Sequence, residues 1–386
     1  MNVPKLRFKE FTDEWSYQSL SKYVNRITTK NKNNESNLVL TISAQYGLVD
    51  QTNFFNRSVS SSNLTGYYLL NNGDFAYNKS YSNGYPWGAV KRLNKYNQGV
   101  VSSLYICFKP NNLINSDFLE QYFETNKWYQ QISEVSVEGA RNHGLLNIAV
   151  NDFFNTKHYM PSIKEQEKIS NFLSLLDKKI ELQTKKIEDL KLFKLYTKNQ
   201  IFNDYDEVFK LKDILVKWNK KNKNNSVKYV ESISNKYGFI SQSDQFEDRN
   251  VASKNLNNYY IIEKGVFGYN PSRLNVGSLA LKTNDKISVV SPLYECFTTS
   301  QNNQYLLEWF DSKYFRKETI SKFEGGVRNT LNFSNLCEIE IRLPIIEKQN
   351  KYSNIFRMFN NKIELEVKKL YKLQELKKGL MQNMFV

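Results

Sequence analysis

Cysteine, histidine and long apolar runs are all scarce in this sequence, and each shortage removes a class of protein. Three cysteines among 386 residues cannot build a disulfide framework, and the odd number fits a reducing compartment. The two histidines, His143 and His158, have no partners at metal-binding spacing. No run approaches the roughly 18 apolar residues that mark a membrane helix, and the opening Met1-Asn2-Val3-Pro4-Lys5-Leu6-Arg7 has no apolar signal core. A cytoplasmic location without a membrane partner is expected. Catalytic signatures are missing too. There is no Gly-x-x-x-x-Gly-Lys-[Ser/Thr] phosphate loop and no glycine-rich dinucleotide loop. A DNA adenine methyltransferase would need an [Asp/Asn/Ser]-Pro-Pro-[Tyr/Phe] loop to hold a flipped base. The nearest run, Asn270-Pro271-Ser272-Arg273, lacks the second proline and the aromatic, and reads as an Asn-Pro turn after a strand. The chain is expected to do no chemistry itself.

Positive charge is what the sequence has in excess. Lys and Arg number 54 against 39 Asp and Glu, a net charge of +15, which points to a polyanionic partner. A hydrophobic fraction of 40% and an aromatic fraction of 14% suffice for ordinary cores, and 386 residues allow two or three domains.

The most informative feature is a repeat. A segment opening at Pro161 and running to Phe202 recurs from Pro344 to Phe385, at a constant offset of 183 residues (344 minus 161). Gln166/Gln349, Ser170-Asn171/Ser353-Asn354, Lys179-Ile180-Glu181-Leu182/Lys362-Ile363-Glu364-Leu365 and Lys185-Lys186/Lys368-Lys369 are identical pairs. Apolar residues recur in steps of four and three at Ile169, Leu173, Leu176, Ile180, Ile187 and Leu190. The second copy keeps the register with Tyr352, Phe356, Phe359, Ile363, Leu370 and Leu373. This a/d seam, interrupted by Gln183 and its counterpart Glu366, predicts two long helices packed antiparallel on one another. A proline suits the start of each, where a missing N–H costs nothing.

The segments upstream repeat in pieces. Tyr46-Gly47-Leu48-Val49 answers Tyr237-Gly238-Phe239-Ile240, and Leu104-Tyr105 with Cys107-Phe108 answers Leu293-Tyr294 with Cys296-Phe297. These are short strands separated by turn residues. One helical stretch follows in each half, Asp117 through Tyr129 and Tyr305 through Phe315. Cys107 and Cys296 read as small core residues. Lys30–Asn34 and Lys220–Asn225 read as solvated basic loops. Apolar and glycine positions agree between the halves, while residues 78–92 and 270–282 differ. Two readers of different sequences on one scaffold would look like this.

The ordered set resembles the specificity (S) subunits of type I restriction–modification systems. It consists of the Pro4-Lys5-Leu6-Arg7-Phe8…Phe11-Thr12-Asp13-Glu14-Trp15 opening, two globules, and two helices each headed Pro-x-x-x-x-Gln. The resemblance implies an α+β fold of two similar globular α/β target-recognition domains joined by two long helices forming an antiparallel coiled coil, with pseudo-twofold symmetry. The expected divisions are 1–159 and 204–342 for the recognition domains, and 160–203 and 343–386 for the helices. It implies that each domain reads one half of a bipartite site in double-stranded DNA. The helices would dock two methyltransferase subunits, and ATP-dependent restriction subunits would join that core. S-adenosylmethionine, ATP and Mg are expected on those partners, with no cofactor or metal in this chain. A free-standing sequence-specific DNA-binding regulator on the same scaffold remains the alternative.

Candidate DNA contacts follow from the usual pairings of side chains with bases and phosphates. The loops that differ between halves offer Lys79, Tyr81, Asn83, Trp87, Lys91 and Arg92 in the first, and Arg273, Asn275 and Lys282 in the second. Arg141-Asn142 and Arg328-Asn329 recur after glycine in both halves, which suits a shared task such as phosphate binding or a structural turn.

Overall fold

The computed structural model describes residues 2–55, 63–136, 146–203, 207–234, 237–242, 255–276, 278–320 and 330–386. Two compact units share them: residues 1–184 with 369–386, and residues 185–368.

In the first unit a four-stranded antiparallel sheet runs in the order Val24–Arg26, Ile106–Pro110, Phe75–Asn78, Ala89–Arg92. Three two-stranded ribbons flank it: Ser16–Ser19 with Lys157–Met160, Leu40–Ser43 with Gly47–Asp50, and Tyr68–Asn71 with Gln98–Val101. The second unit repeats this plan. Its sheet runs Leu215–Lys217, Glu295–Thr299, Phe267–Tyr269, Leu279–Leu281, and its ribbons pair Val208–Lys210 with Glu340–Arg342, Glu231–Ser234 with Gly238–Ser241, and Tyr260–Ile262 with Ser288–Val290.

The central strands are apolar on both faces because each sheet has a core on each side. Phe75 and Tyr77 point into one cluster while Ala76 and its cross-strand partner Cys107 point into another. Phe75 stacks on Phe108 with centroids 5.4 Å apart, and Phe267 on Phe297 at 5.0 Å. Cys107 and Cys296 occupy equivalent buried sites, where burial pushes both thiols up to about 12. The helical stretch predicted in each half is two short helices, Ser116–Phe123 and Tyr129–Val135 in the first, Asn303–Phe310 and Lys313–Ile320 in the second.

The repeated segments are continuous helices, Ile163–Asn203 of 41 residues and Ile346–Met384 of 39. At 1.5 Å per residue each rod is about 60 Å long. In the second unit Lys186 meets Glu366 (3.2 Å), Phe193 meets Phe359 (centroids 5.5 Å) and Phe202 meets Phe356 (5.9 Å). Numbers rise on one rod as they fall on the other, so the pair is antiparallel. In the first unit Asp177 meets Lys377, and Ile169 and Leu173 share a core with Met381, Met384 and Phe385. Ile169, Leu173, Leu176, Ile187 and Phe356 of the expected seam are buried, and Ile180, Leu190, Tyr352, Phe359, Ile363, Leu370 and Leu373 half-buried. Ile169 and Leu173, like Tyr352 and Phe356, are drawn into the adjoining globular core.

The Pro-x-x-x-x-Gln pattern has a structural cause. Gln166, 1% exposed, accepts the backbone N–H of Asn115 (2.8 Å) and donates to the carbonyl of its own Pro161 (2.9 Å). Gln349 repeats both bonds with Asn302 (3.1 Å) and Pro344 (2.8 Å). Asn115 and Asn302 are also the N-caps of Ser116–Phe123 and Asn303–Phe310. One side chain thus ties the first turn of the rod to the cap of the short helix.

The two cores are not copies. Where the first has Leu40, Leu93 and Gly99, the second has Glu231, Lys282 and Ser288 at the equivalent strand positions. A Cβ on Gly99 would lie 2.4 Å from Leu40. In the second unit Glu231 instead accepts from both Lys282 and Ser288, all three being buried. Conversely, the first unit buries Tyr122, Thr156 and His158 in one hydrogen-bonded set, where the second has Trp309, Ile339 and Ile341.

Candidate nucleic-acid interface

The loop after strand Phe75–Asn78 is held by its own backbone. Ser82 and Tyr85 exchange hydrogen bonds (3.3 and 2.8 Å), and the Tyr77 hydroxyl donates to the Trp87 carbonyl at 2.8 Å. Gly88 has φ of +76°, and a Cβ there would fall 2.2 Å from the Asn78 carbonyl oxygen, so only glycine closes the loop. Tyr81, 59% exposed, and Asn83 project at its tip. In the second unit the same strand is followed by a 3-10 turn, Pro271–Val276, with Arg273 exposed upon it. The scaffold is shared and the loops are built differently.

Several predicted contacts have other partners. Lys282 is fully buried against Glu231 and cannot reach a base edge, which removes it from the reading set. Lys91 is buried and paired with Glu124 (2.5 Å). Arg92 divides its guanidinium between Asp117 (2.7 Å) and Glu120 (2.6 Å). Burial raises the Glu120 carboxyl above its ordinary range, against the pull of Arg92. Lys91 and Arg92 therefore act first as ties between strand Ala89–Arg92 and helix Ser116–Phe123 with its C-cap Glu124. Lys79 is half-buried and donates to the Ile148 carbonyl (3.2 Å), and Trp87 packs on the core. Tyr81, Asn83 and Arg273 remain on the surface. Asn275 lies in the Pro271–Val276 turn. Arg141, Asn142, Arg328 and Asn329 fall outside the described residues, as does His143.

The basic asparagine-rich runs are pinned rather than merely solvated. Asn31, wholly buried, bonds both the N–H and the carbonyl of Ser36 (3.1 and 2.9 Å), and Asn222 does the same to Val227. Asn34 and Asn225 take positive φ, 52° and 50°, in the same turns. Sequence reasoning passed over the hairpin tips. Tyr46 and Tyr237, 61% and 66% exposed, each precede a positive-φ glycine and project at equivalent points. The Tyr-Gly pair occurring twice was the available signal.

In the first unit a groove of about 940 Å³ runs between the hairpin tip at Tyr46 and the rod face at Lys377 and Lys378, with Lys95, Asn126 and Tyr129 on its walls. Its lining is mixed in charge, since Glu120, Glu124 and Asp177 stand among its lysines and Lys377 is paired with Asp177, so the groove is a polar channel with an exposed ring and not a purely cationic one. Among the described residues no cluster of His, Cys, Asp and Glu could hold a metal ion, and no helix is long and apolar enough to cross a membrane.

The sequence matches no family model. Its structure is similar to that of the S subunit of a type I restriction–modification system from M. genitalium, with a TM-score of 0.55 at 15% identity, covering 100% of this chain and 99% of that one. A chain from work on complex assembly and conformational transition of the type I restriction–modification system gives 0.57 at 14% identity, over 98% and 99%. The HsdS subunit from Thermoanaerobacter tengcongensis gives 0.50 at 14%, over 98% and 99%. At these identities the likeness is one of fold, and it spans the whole length of both chains.

Proposed function

We propose that this chain is the DNA-specificity subunit of a type I restriction–modification complex, non-catalytic in itself. The observation that carries the reading is the duplicated scaffold bearing unlike loops, in a chain with the full-length fold of S subunits. A symmetric target would need two like readers, whereas a split asymmetric one needs two unlike readers on one frame. Residues 1–159 and 204–342 serve as the target-recognition domains, and 160–203 and 343–386 as the connecting helices. Tyr81 and Asn83 read one half-site and Arg273 with Asn275 the other, with Arg141-Asn142 and Arg328-Asn329 on phosphates. The net charge of +15 supplies the non-specific attraction to duplex DNA.

The rods support the partner assignment. Leu175 (69% exposed) and Leu182 lie one heptad apart on the first, and Met358 (71% exposed) and Leu365 occupy the equivalent places on the second. Large apolar side chains repeated on two outer faces suit two copies of one partner. Those partners are the methyltransferase subunits, which bring S-adenosylmethionine; restriction subunits bring ATP and Mg.

The test is co-expression with the cognate methyltransferase and methylation mapping. A bipartite methylated motif is expected, with Tyr81→Ala/Asn83→Ala relaxing one half-site and Arg273→Ala the other. Replacing residues 1–159 with another first domain should change one half-site alone. Both half-sites changing together would overturn the modular reading.

A further inference from the structure

Each rod carries, at the same repeat position, a lysine that reaches across to the facing rod, at Asp177 for Lys377 and at Asn360 for Lys194. The surroundings of these two lysines hold equivalent places in the repeat but are exchanged in charge. In the first unit Lys377 binds Asp177 of the facing rod (2.5 Å), and Asp177 also accepts from the amide of Gln121 on the short helix (2.9 Å). In the second unit Lys194 binds Glu308 of the short helix and Asn360 of the facing rod, both at 2.8 Å. The Asn360 amide in turn donates to Glu308 (3.1 Å). Positions 177 and 360, and 194 and 377, are related by the repeat offset, and 121 and 308 hold the same place after the caps Asn115 and Asn302. So the acid stands on the rod and the amide on the globule at one end, and the reverse at the other.

The environment is closed enough for this to matter. Gln121 is 7% exposed and Glu308 5%. Burial works to raise the Glu308 carboxyl, but Lys194 and Lys198 outweigh it and leave it below its ordinary value. Lys198, 4% exposed, binds Asp311 (2.8 Å) and adds a second cation at Glu308 (3.2 Å), and Met381 takes its place in the first unit.

We propose that this carboxylate–amide pair is a matching contact that decides which globule a rod end accepts. Its bearing on recognition rests on the reading proposed above. A first-type globule on a rod start bearing Asn360 would set Gln121 against Asn360, leaving Lys194 without the Glu308 carboxylate, while Lys198 would still meet an acid, Glu124 holding the place of Asp311. A second-type globule on a rod start bearing Asp177 would bring two carboxylates to hydrogen-bonding range with Lys377 alone to share. Either mismatch strands charge in a partly buried site. The unit that can be exchanged between such chains therefore extends past the prolines, through Asp177 in the first half and Asn360 in the second.

The experiment uses the full-length chain and amide hydrogen exchange in helix Ser116–Phe123. Gln121→Glu and Asp177→Asn should each speed exchange about tenfold, and the double variant, which transposes the second unit's arrangement, should return to within about twofold of the parent. A double variant whose acceleration is the product of the two singles overturns the proposal. A chimera with residues 204–342 in place of 1–159 should protect its short helix about tenfold better when Asp177→Asn is added. Equal protection again counts against the match, and the point variants decide alone if the chimera does not fold. Exchange is read without DNA. A chain that passes this cycle yet directs no methylation overturns the functional reading and leaves the contact standing.

Discussion

His158 should make the first unit sensitive to mild acid, and the size of the effect follows from its surroundings. Its ring is 2% exposed, with Nδ1 2.8 Å from the Tyr122 hydroxyl and Nε2 2.8 Å from that of Thr156. Thr156 spends its single hydroxyl proton on the Phe153 carbonyl (2.6 Å), so Nε2 is the donor and Nδ1 accepts from Tyr122. Protonating Nδ1 would put a charge in the core and force the Tyr122 hydroxyl to turn from donor to acceptor. Burial accordingly pushes the ring down to about 3. The unfolded chain takes up this proton near the ordinary value of about 6.5. The stability conferred by the neutral ring is thus complete above that value and falls as pH drops toward 3. At about 1.4 kcal/mol per pH unit, lowering pH from 7 to 5 costs about 2 kcal/mol. With a urea dependence of about 2 kcal/mol per molar, the midpoint shifts by about 1 M. The assay is urea-dependent hydrogen exchange in strand Lys157–Met160, for the parent and for Tyr122→Trp/Thr156→Ile/His158→Ile, which imports the second unit's residues. The variant should lose about 2 kcal/mol less over the same interval. Equal losses, or a ring that titrates near 6.5 by NMR in the folded chain, would refute the argument.

Other outcomes follow from the same structure. Lys282→Met should destabilise the second unit by about 3–5 kcal/mol by stranding Glu231, while Glu231→Leu/Lys282→Leu/Ser288→Gly together should be near neutral, both read by denaturant melts. Gln166→Ala removes one buried and one part-buried hydrogen bond and should cost about 1–3 kcal/mol, with faster amide exchange first at Asn115. Leu175→Asp with Met358→Asp should leave the chain folded by circular dichroism but abolish co-purification of methyltransferase, and each single variant should retain one copy.

The rods were legible because their signal is local: steps of three and four in sequence are neighbours on a helix face, and a second copy confirms the register. The strands were legible in pieces for the same reason. Charge was not. Lys282 and Lys91 read as loop cations, yet their carboxylates lie 51 and 33 residues away along the chain. No periodicity links Lys282 to Glu231, and only the sheet brings them together. The repeated glutamine of Pro-x-x-x-x-Gln was visible as a pattern, but its purpose depends on a cap about 50 residues upstream, Asn115 for Gln166. Of the candidate contacts, Tyr81 and Asn83 are exposed on their loop, whereas Lys91 and Arg92 belong to the frame.

The unlike cores have a consequence for anyone who would symmetrise this chain. A designer averaging the two halves position by position would mix Leu40 with Lys282, or His158 with Trp309, and each mixture strands a charge or leaves a ring nitrogen with no hydroxyl to meet. In these two places the cores differ by a whole set of three side chains: Leu-Leu-Gly for Glu-Lys-Ser, and Tyr-Thr-His for Trp-Ile-Ile. A consensus repeat drawn from this sequence must inherit each set whole.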